Sequence, residues 1–110
     1  MSTSDLISKK CVPCEGGTKP LLPAEFQPYL AAVSGWNVIN NSLAIQKYFK
    51  FKDFKETLAF VNKVGEIAEA EGHHPDLNIH GWNKLTITLS THAINGLSIN
   101  DFILAAKIDE

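Results

Sequence analysis

All four histidines of this 110-residue chain fall between positions 73 and 92. His73 and His74 are adjacent, flanked by Gly72 and Pro75, while His80 and His92 follow separately. Imidazole titrates near neutrality, so one ring can donate a proton while another accepts one. That pair of acts suits the loss of water from a carbon beside an amine. One group protonates the departing hydroxyl and the other takes the N–H proton. Two carboxylates are candidates to steer these rings. Asp101 is placed to orient His92, and it also reads as the N3 member of a capping box opened by Ser98. Glu69 lies one helical turn before His73 and could steer it, or could simply be an exposed helix residue. Adjacent histidines at a helix end also suit the negative pole of the helix dipole, with no further role.

Other chemistries fit less well. Three imidazoles could hold zinc, but adjacent histidines direct their side chains apart and no HExxH pair is present, so no metal is expected. Cys11 and Cys14 form Cys-Val-Pro-Cys. Half a zinc site needs a second such pair, and none follows. A redox couple of the thioredoxin kind needs a strand before it and a helix after it. Here Lys9, Lys10, Gly16 and Gly17 flank the pair, which reads as two thiols in an N-terminal loop.

The elements that would position these groups follow from periodicity. Residues 1–22 carry Pro13, Gly16, Gly17 and Pro20 with little pattern and read as an arm. Phe26, Leu30 and Val33 recur at helical spacing before Gly35. Residues 36–39 form a short strand candidate, and Asn40-Asn41 is a turn signal. Leu43, Ile45, Lys47, Phe49 and Phe51 then alternate with polar or small residues, a strand whose first set faces the core apart from Lys47. Asp53 and Glu56 resemble a capping box, opening a helix through Phe54, Leu58, Val61, Val64 and Ile67 to Gly72, with Phe60 widening its apolar stripe. Pro75 bars its continuation. Leu77 and Ile79 begin a third strand, Gly81 marks a turn, and Leu85, Ile87 and Leu89 make a fourth. A last helix begins after Ser98 with Phe102, Ile103, Leu104 and Ala105. The order α-β-β-α-β-β-α predicts an α+β sandwich, a four-stranded antiparallel sheet with helices on one face. The third and fourth strands form a hairpin, so the start of one lies beside the end of the other. That topology predicts His73, His74 and His92 at one edge of the sheet and His80 at the opposite, turn end.

Composition bounds the rest. The length fits one domain spanning residues 1–110. Apolar residues are 45% and charged residues 20%, so the composition is ordinary for a globular domain. A net charge of -2 without a Lys/Arg run offers no footprint for nucleic acid. No stretch has the apolar length of a membrane span, and residues 1–10 lack a signal-peptide core. A cytoplasmic protein is expected. A chain this short buries only about two-thirds of its unfolded surface, which makes self-association a natural supplement.

The motifs resemble one family. Glu69-Ala-Glu-Gly-His73-His74-Pro75-Asp76, then Trp82-Asn-Lys-Leu-Thr-Ile-Thr-Leu-Ser90-Thr91-His92, then Gly96-Leu97-Ser98 and Asp101, resemble the pterin-4a-carbinolamine dehydratases. Gly35-Trp36, the run from Phe49 to Phe54 and the N-terminal Cys-x-x-Cys-Glu-Gly stretch match as well, while some relatives carry an aromatic residue where Leu77 stands. The resemblance implies an α+β fold and a homo-oligomer, commonly a tetramer built from dimers that extend the sheet. It implies dehydration of 4a-hydroxytetrahydropterin to quinonoid dihydropterin, in tetrahydropterin recycling, with neither metal nor organic cofactor. On that pattern His73 and His92 match the acid/base histidines, His74 one that chiefly holds substrate, and Asp101 the family's acidic partner. Gly72, His73 and His74, with Ser90, Thr91, His92 and Ala93, match the substrate-contacting segments. Trp36 matches an aromatic wall of the site. Mammalian relatives also serve as a dimerisation cofactor for a homeodomain transcription factor, so a protein partner is the alternative reading.

Overall fold

The strand Lys84–Leu89 sets the frame of the molecule, because its alternation is strict: Leu85, Ile87 and Leu89 are fully buried while Thr86 and Thr88 are only partly so. A period of two puts the isoleucine and leucine side chains on one face of a pleated strand and the threonines on the other. The computed structural model describes residues 3–11 and 19–110. Their order is α1 (Thr3–Ile7), α2 (Pro23–Ala31), β1 (Asn37–Ile39), β2 (Ala44–Lys50), α3 (Phe54–Glu71), β3 (Asp76–His80), β4 (Lys84–Leu89), a 3-10 turn (His92–Ile94) and α4 (Ile99–Asp109). The four strands form one antiparallel sheet in the order β1-β2-β4-β3. The expected α+β architecture is therefore present, with two elements more: the 3-10 turn, and α1 inside the segment read as an arm. Its Leu6 is fully buried in the core, an anchor that one isolated leucine among polar residues did not announce.

The core lies between the sheet and α4. Ile45, Leu85, Ile87 and Leu89 meet Phe102, Ile103, Leu104 and Ala105, all essentially without exposure. Residues 100–106 are buried on every side of α4, which makes it the central helix of the fold. The longer α3 buries only Thr57, Val64 and Ala68 fully, and its Phe54 and Leu58 remain exposed. Leu43, expected on the core face of β2, precedes that strand and is exposed; the turn before it is tighter than alternation alone implies. Asn40, Asn41 and Ser42 there all adopt left-handed backbone, with φ of 51, 56 and 68°. Asn tolerates that region better than most residues, which is why the turn signal was readable.

The helix ends are set by chemistry visible in the sequence. Asp53 Oδ1 accepts from the Glu56 N–H at 2.8 Å, and Glu56 returns a carboxylate oxygen to the Lys52 N–H at 3.2 Å. Gly72 closes α3 in left-handed conformation (φ 66°), and the His73 N–H then donates to the Ala68 carbonyl. Glycine adopts that conformation at no steric cost, so the chain turns sharply just before the paired histidines.

A candidate site built on His73, Asp101 and the His92 loop

The register brings the two histidine loops together. Asp76 of β3 pairs with Thr88 of β4, so the residues before β3 and after β4 leave the sheet at the same end. His80 pairs with Lys84 at the other end, where its ring bonds the Thr86 hydroxyl at 3.1 Å and lies 6.2 Å from Tyr48.

His73 turns inward. Its side chain keeps 11% exposure, and Nε2 sits 2.6 Å from Oδ1 of Asp101, whose side chain has none. The other carboxylate oxygen of Asp101 accepts from the Thr91 hydroxyl at 2.9 Å and from the Ser98 N–H at 3.0 Å. Thr91 and Ser98 are also joined directly, oxygen to oxygen, at 2.7 Å. The buried carboxylate is thus fully engaged, as a desolvated charge requires. It caps its own helix and holds a ring from another loop at the same time.

This geometry changes two pairings read from spacing. Asp101 engages His73 and not His92, because the start of α4 points its first turn toward the end of α3. Glu69 engages His74 and not His73: His74 Nε2 lies 2.9 Å from Glu69 Oε1, with both side chains largely exposed. The Gly72 turn rotates His73 into the protein and leaves His74 on the surface. Asp101, with no exposed surface, can reach a substrate only through His73.

His92 is exposed and opens the 3-10 turn. A cavity of about 280 Å³ beside it is lined by Ser90, Thr91 and His92 together with Asn40, Leu43, Ala44, Asn95 and Gly96. Neither His73 nor His74 lines it. The link between the two histidine loops is instead Thr91, one residue from His92, on the carboxylate that holds His73. Ala93 is exposed in the same turn, and Gly72 is exposed at the end of α3. Among the described residues, no group of three or more His, Cys, Asp or Glu side chains is arranged to hold a metal ion.

Trp36 requires a correction. Its side chain is only 4% exposed and belongs to the core. Its Nε1–H donates to Asp109 Oδ2 at 2.8 Å, and its ring meets Phe49 edge-on at 6.4 Å. The indole needs one partner for its N–H, and the end of α4 supplies it. Trp36 does not line the cavity beside His92, so within this chain it forms no wall there.

Several contributors were not singled out from the sequence. Asn40, Leu43 and Ala44 line the cavity because β2 runs beside β4, with Ile45 opposite Leu89. The turn at Asn40 was readable, but not which strand it would flank. Glu71, also unremarked, is almost buried at the end of α3 and accepts from Lys107 Nζ at 2.7 Å and from the Cys11 N–H at 2.8 Å. Burial alone would raise its carboxyl; the Lys107 hydrogen bond, the Cys11 N–H and the charges of Lys107 and Lys10 outweigh that and hold it below the ordinary carboxylate value. Cys11 itself is a free thiol pushed up to about 12, mainly by burial and then by the Glu71 charge. Its partner in the motif, Cys14, lies outside the described residues.

The fold is an α+β protein of one sheet, with a buried histidine–carboxylate pair at one end of it. Residues 19–110 match the sequence profile of the family described as Pterin 4 alpha carbinolamine dehydratase. A putative pterin-4-alpha-carbinolamine dehydratase of Methylococcus capsulatus is 46% identical over 110 residues, covering 100% of this chain and 96% of the relative. Pterin-4-alpha-carbinolamine dehydratase 2, mitochondrial, of Arabidopsis thaliana is 46% identical over 112 residues, covering 99% of this chain and 60% of the relative. Among solved structures, a transcriptional coactivator/pterin dehydratase from Brucella melitensis superposes with a TM-score of 0.76 at 33% identity, over 83% of this chain and 96% of that one. This chain belongs to the pterin-4a-carbinolamine dehydratase family, a family of hydro-lyases.

Proposed function

We propose that the protein dehydrates a 4a-hydroxytetrahydropterin to the quinonoid dihydropterin, in tetrahydropterin recycling, by histidine acid/base catalysis. The observation that carries this reading is the His73–Asp101 contact of 2.6 Å at a fully buried carboxylate. A carboxylate on one ring nitrogen fixes the ring's orientation and raises the basicity of the other nitrogen, the arrangement a working acid/base histidine needs. In the reaction the C4a–O bond breaks and the hydroxyl leaves as water with a proton from one imidazole. The adjacent N–H proton passes to another imidazole as the nitrogen's electron pair forms the C=N bond. His73 and His92 take these two roles, His74 holds substrate, and Asp101 acts through His73. Gly72, Ser90, Thr91 and Ala93 supply backbone groups for the amide-like edge of the pterin. No resident metal or organic cofactor is part of this reading, which expects a cytoplasmic homo-oligomer, in the form of a tetramer.

Purified protein mixed with freshly generated 4a-carbinolamine tests it, with dehydration followed by absorbance. Acceleration over buffer is expected, and a rate equal to buffer ends the reading.

One observation favours a second reading as a protein-binding module. Phe54 and Leu58 on α3 and Leu77 on β3 are 48, 40 and 37% exposed, a large apolar share for surface positions. A relative in the alpha-carboxysome, a pterin dehydratase-like protein, is described as a RuBisCO assembly factor; it superposes with a TM-score of 0.58 at 25% identity, over 68% of this chain and 86% of that one. A stable complex with another protein, alongside an inactive purified chain, would reverse the order of the two readings.

A further inference from the structure

The two buried hydroxyls beside Asp101 do more than capping requires. An N-cap needs one side-chain oxygen, and Ser98 Oγ supplies it by accepting from the Asn100 N–H at 3.2 Å. Thr91 stands at the N-cap of the 3-10 turn, but its hydroxyl makes no capping bond there; Thr91 is 4% exposed and its oxygen is committed to Asp101 and Ser98. The direction of each bond follows by elimination. A carboxylate only accepts, so Thr91 spends its single hydroxyl proton on Asp101 Oδ2. The 2.7 Å contact between the hydroxyls must then be donated by Ser98. Oδ2 already receives the Ser98 N–H as well, which leaves Oδ1 to His73. His73 Nε2 is consequently the protonated nitrogen, and Nδ1 of the neutral ring carries the lone pair.

We infer that Thr91 and Ser98 are positioning residues whose hydroxyls form a directed chain, Ser98 to Thr91 to Asp101, that fixes the orientation of the carboxylate, and through it the ring of His73, and ties that ring to the His92 loop. Thr91 immediately precedes His92, so one carboxylate governs both the ring of His73 and the start of the neighbouring loop. Without the Thr91 hydroxyl, Oδ2 loses a donor and the carboxylate is free to turn about its axis. The His73 ring, whose Nε2–H still faces an acceptor oxygen, is then held less firmly, and the distance between the two histidines loosens. The kinetic side of this inference rests on the dehydratase reading; the ordering of the ring does not.

Thr91→Val is nearly isosteric and removes only the hydroxyl, while Thr91→Ser restores it. In the dehydration assay, Thr91→Val lowers kcat by about ten- to a hundredfold, in the range typical of a removed orienting partner, with KM within about threefold. Thr91→Ser recovers most of the loss. In the substrate-free protein, nitrogen-15 NMR of the His73 ring reports protonation at Nε2 in both the wild type and Thr91→Val, with the Nε2–H exchanging with solvent about tenfold faster in the variant. Ser98→Gly serves if Thr91→Val does not fold, because glycine is a tolerated N-cap; it removes the donor to the Thr91 oxygen and moves the same readouts in the same direction, by less. An unchanged Nε2–H exchange rate with unchanged kcat in the variants overturns the inference, as does a wild-type ring protonated at Nδ1 or a kcat loss that serine does not rescue. A wild type with no dehydration at all defeats the functional reading alone, and the NMR comparison still decides the inference.

Discussion

The backbone N–H of Leu21 donates to the carbonyl of Leu97 across 2.8 Å, seating the chain that enters α2 against the loop that carries His92. Pro20 lies over Gly96 in the same contact, so close that a methyl group on Gly96 would fall 2.6 Å from the Pro20 Cβ. The two segments are far apart in sequence and meet only in the fold.

Gly96→Ala is therefore expected to destabilise the protein by about 1–3 kcal/mol, the usual cost of forcing volume into a packed contact. It should also disturb the Thr91–Gly96 bridge that closes the His92 loop. Urea denaturation measures the first effect. Pro20→Gly removes the opposing carbon, so the double variant should regain most of the loss; a Gly96→Ala protein as stable as the wild type contradicts the contact.

His73 and His74 should separate cleanly under substitution. His73→Ala strips a buried carboxylate of one partner, a loss of about 1–3 kcal/mol, and should lower dehydration by about a hundredfold or more. His74→Ala breaks only an exposed pair with Glu69 and should change stability by less than about 0.5 kcal/mol. Parallel melting curves and single-turnover assays of the two variants check both halves. Equal destabilisation by the two substitutions would contradict the difference in burial.

The Glu71 carboxyl sits below its unfolded value, so it stabilises the fold above that value and the contribution fades as pH falls through the folded one. Glu71→Gln should consequently show its largest stability deficit near pH 7, and the deficit should shrink as the medium is acidified below about 4.5, the unfolded carboxylate value. Denaturation curves at pH 7 and in the acid range give the comparison. A deficit constant with pH would mean that Lys107 draws nothing from the charge.

Cys11 is displaced in the other direction. With the folded thiol near 12 and the unfolded one at 9.0, stability is unaffected below 9 and falls as pH rises from there toward 12, because the unfolded chain releases its proton first. At pH 8 the folded thiol should resist alkylation by iodoacetamide while the urea-unfolded chain reacts at an ordinary rate, as peptide mapping of Cys11 would reveal. Rapid modification in the folded state would show that the segment around Cys11 does not rest on Glu71 and Asn100.

The sheet, α3 and α4 were readable because each carries a strong period and a cap: Leu85, Ile87 and Leu89 for β4, Asp53 and Gly72 for α3, Ser98 with Asp101 for α4. The shared end of the two histidine loops followed from hairpin topology. What spacing did not carry was direction. Whether Asp101 meets His73 or His92 depends on how α4 lies across the sheet, and that angle is set by packing of Phe102 and its neighbours, not by any local pattern. Trp36 shows the same limit. An aromatic beside a glycine reads equally as a binding wall or a core residue, and only the Asp109 carboxylate near its N–H decides. Leu6 was overlooked because one leucine in a polar stretch has no period, though a single well-placed side chain is enough to dock a short helix.

Asp101 rides on the most deeply enclosed helix of the molecule, whereas His92 sits in an exposed turn held by a few backbone bonds. The two halves of the site thus belong to regions that open at different free energies. On heating, the turn should loosen while the helix still holds, so the protein should stop working several degrees before its circular dichroism changes, and cooling from that interval should return it intact.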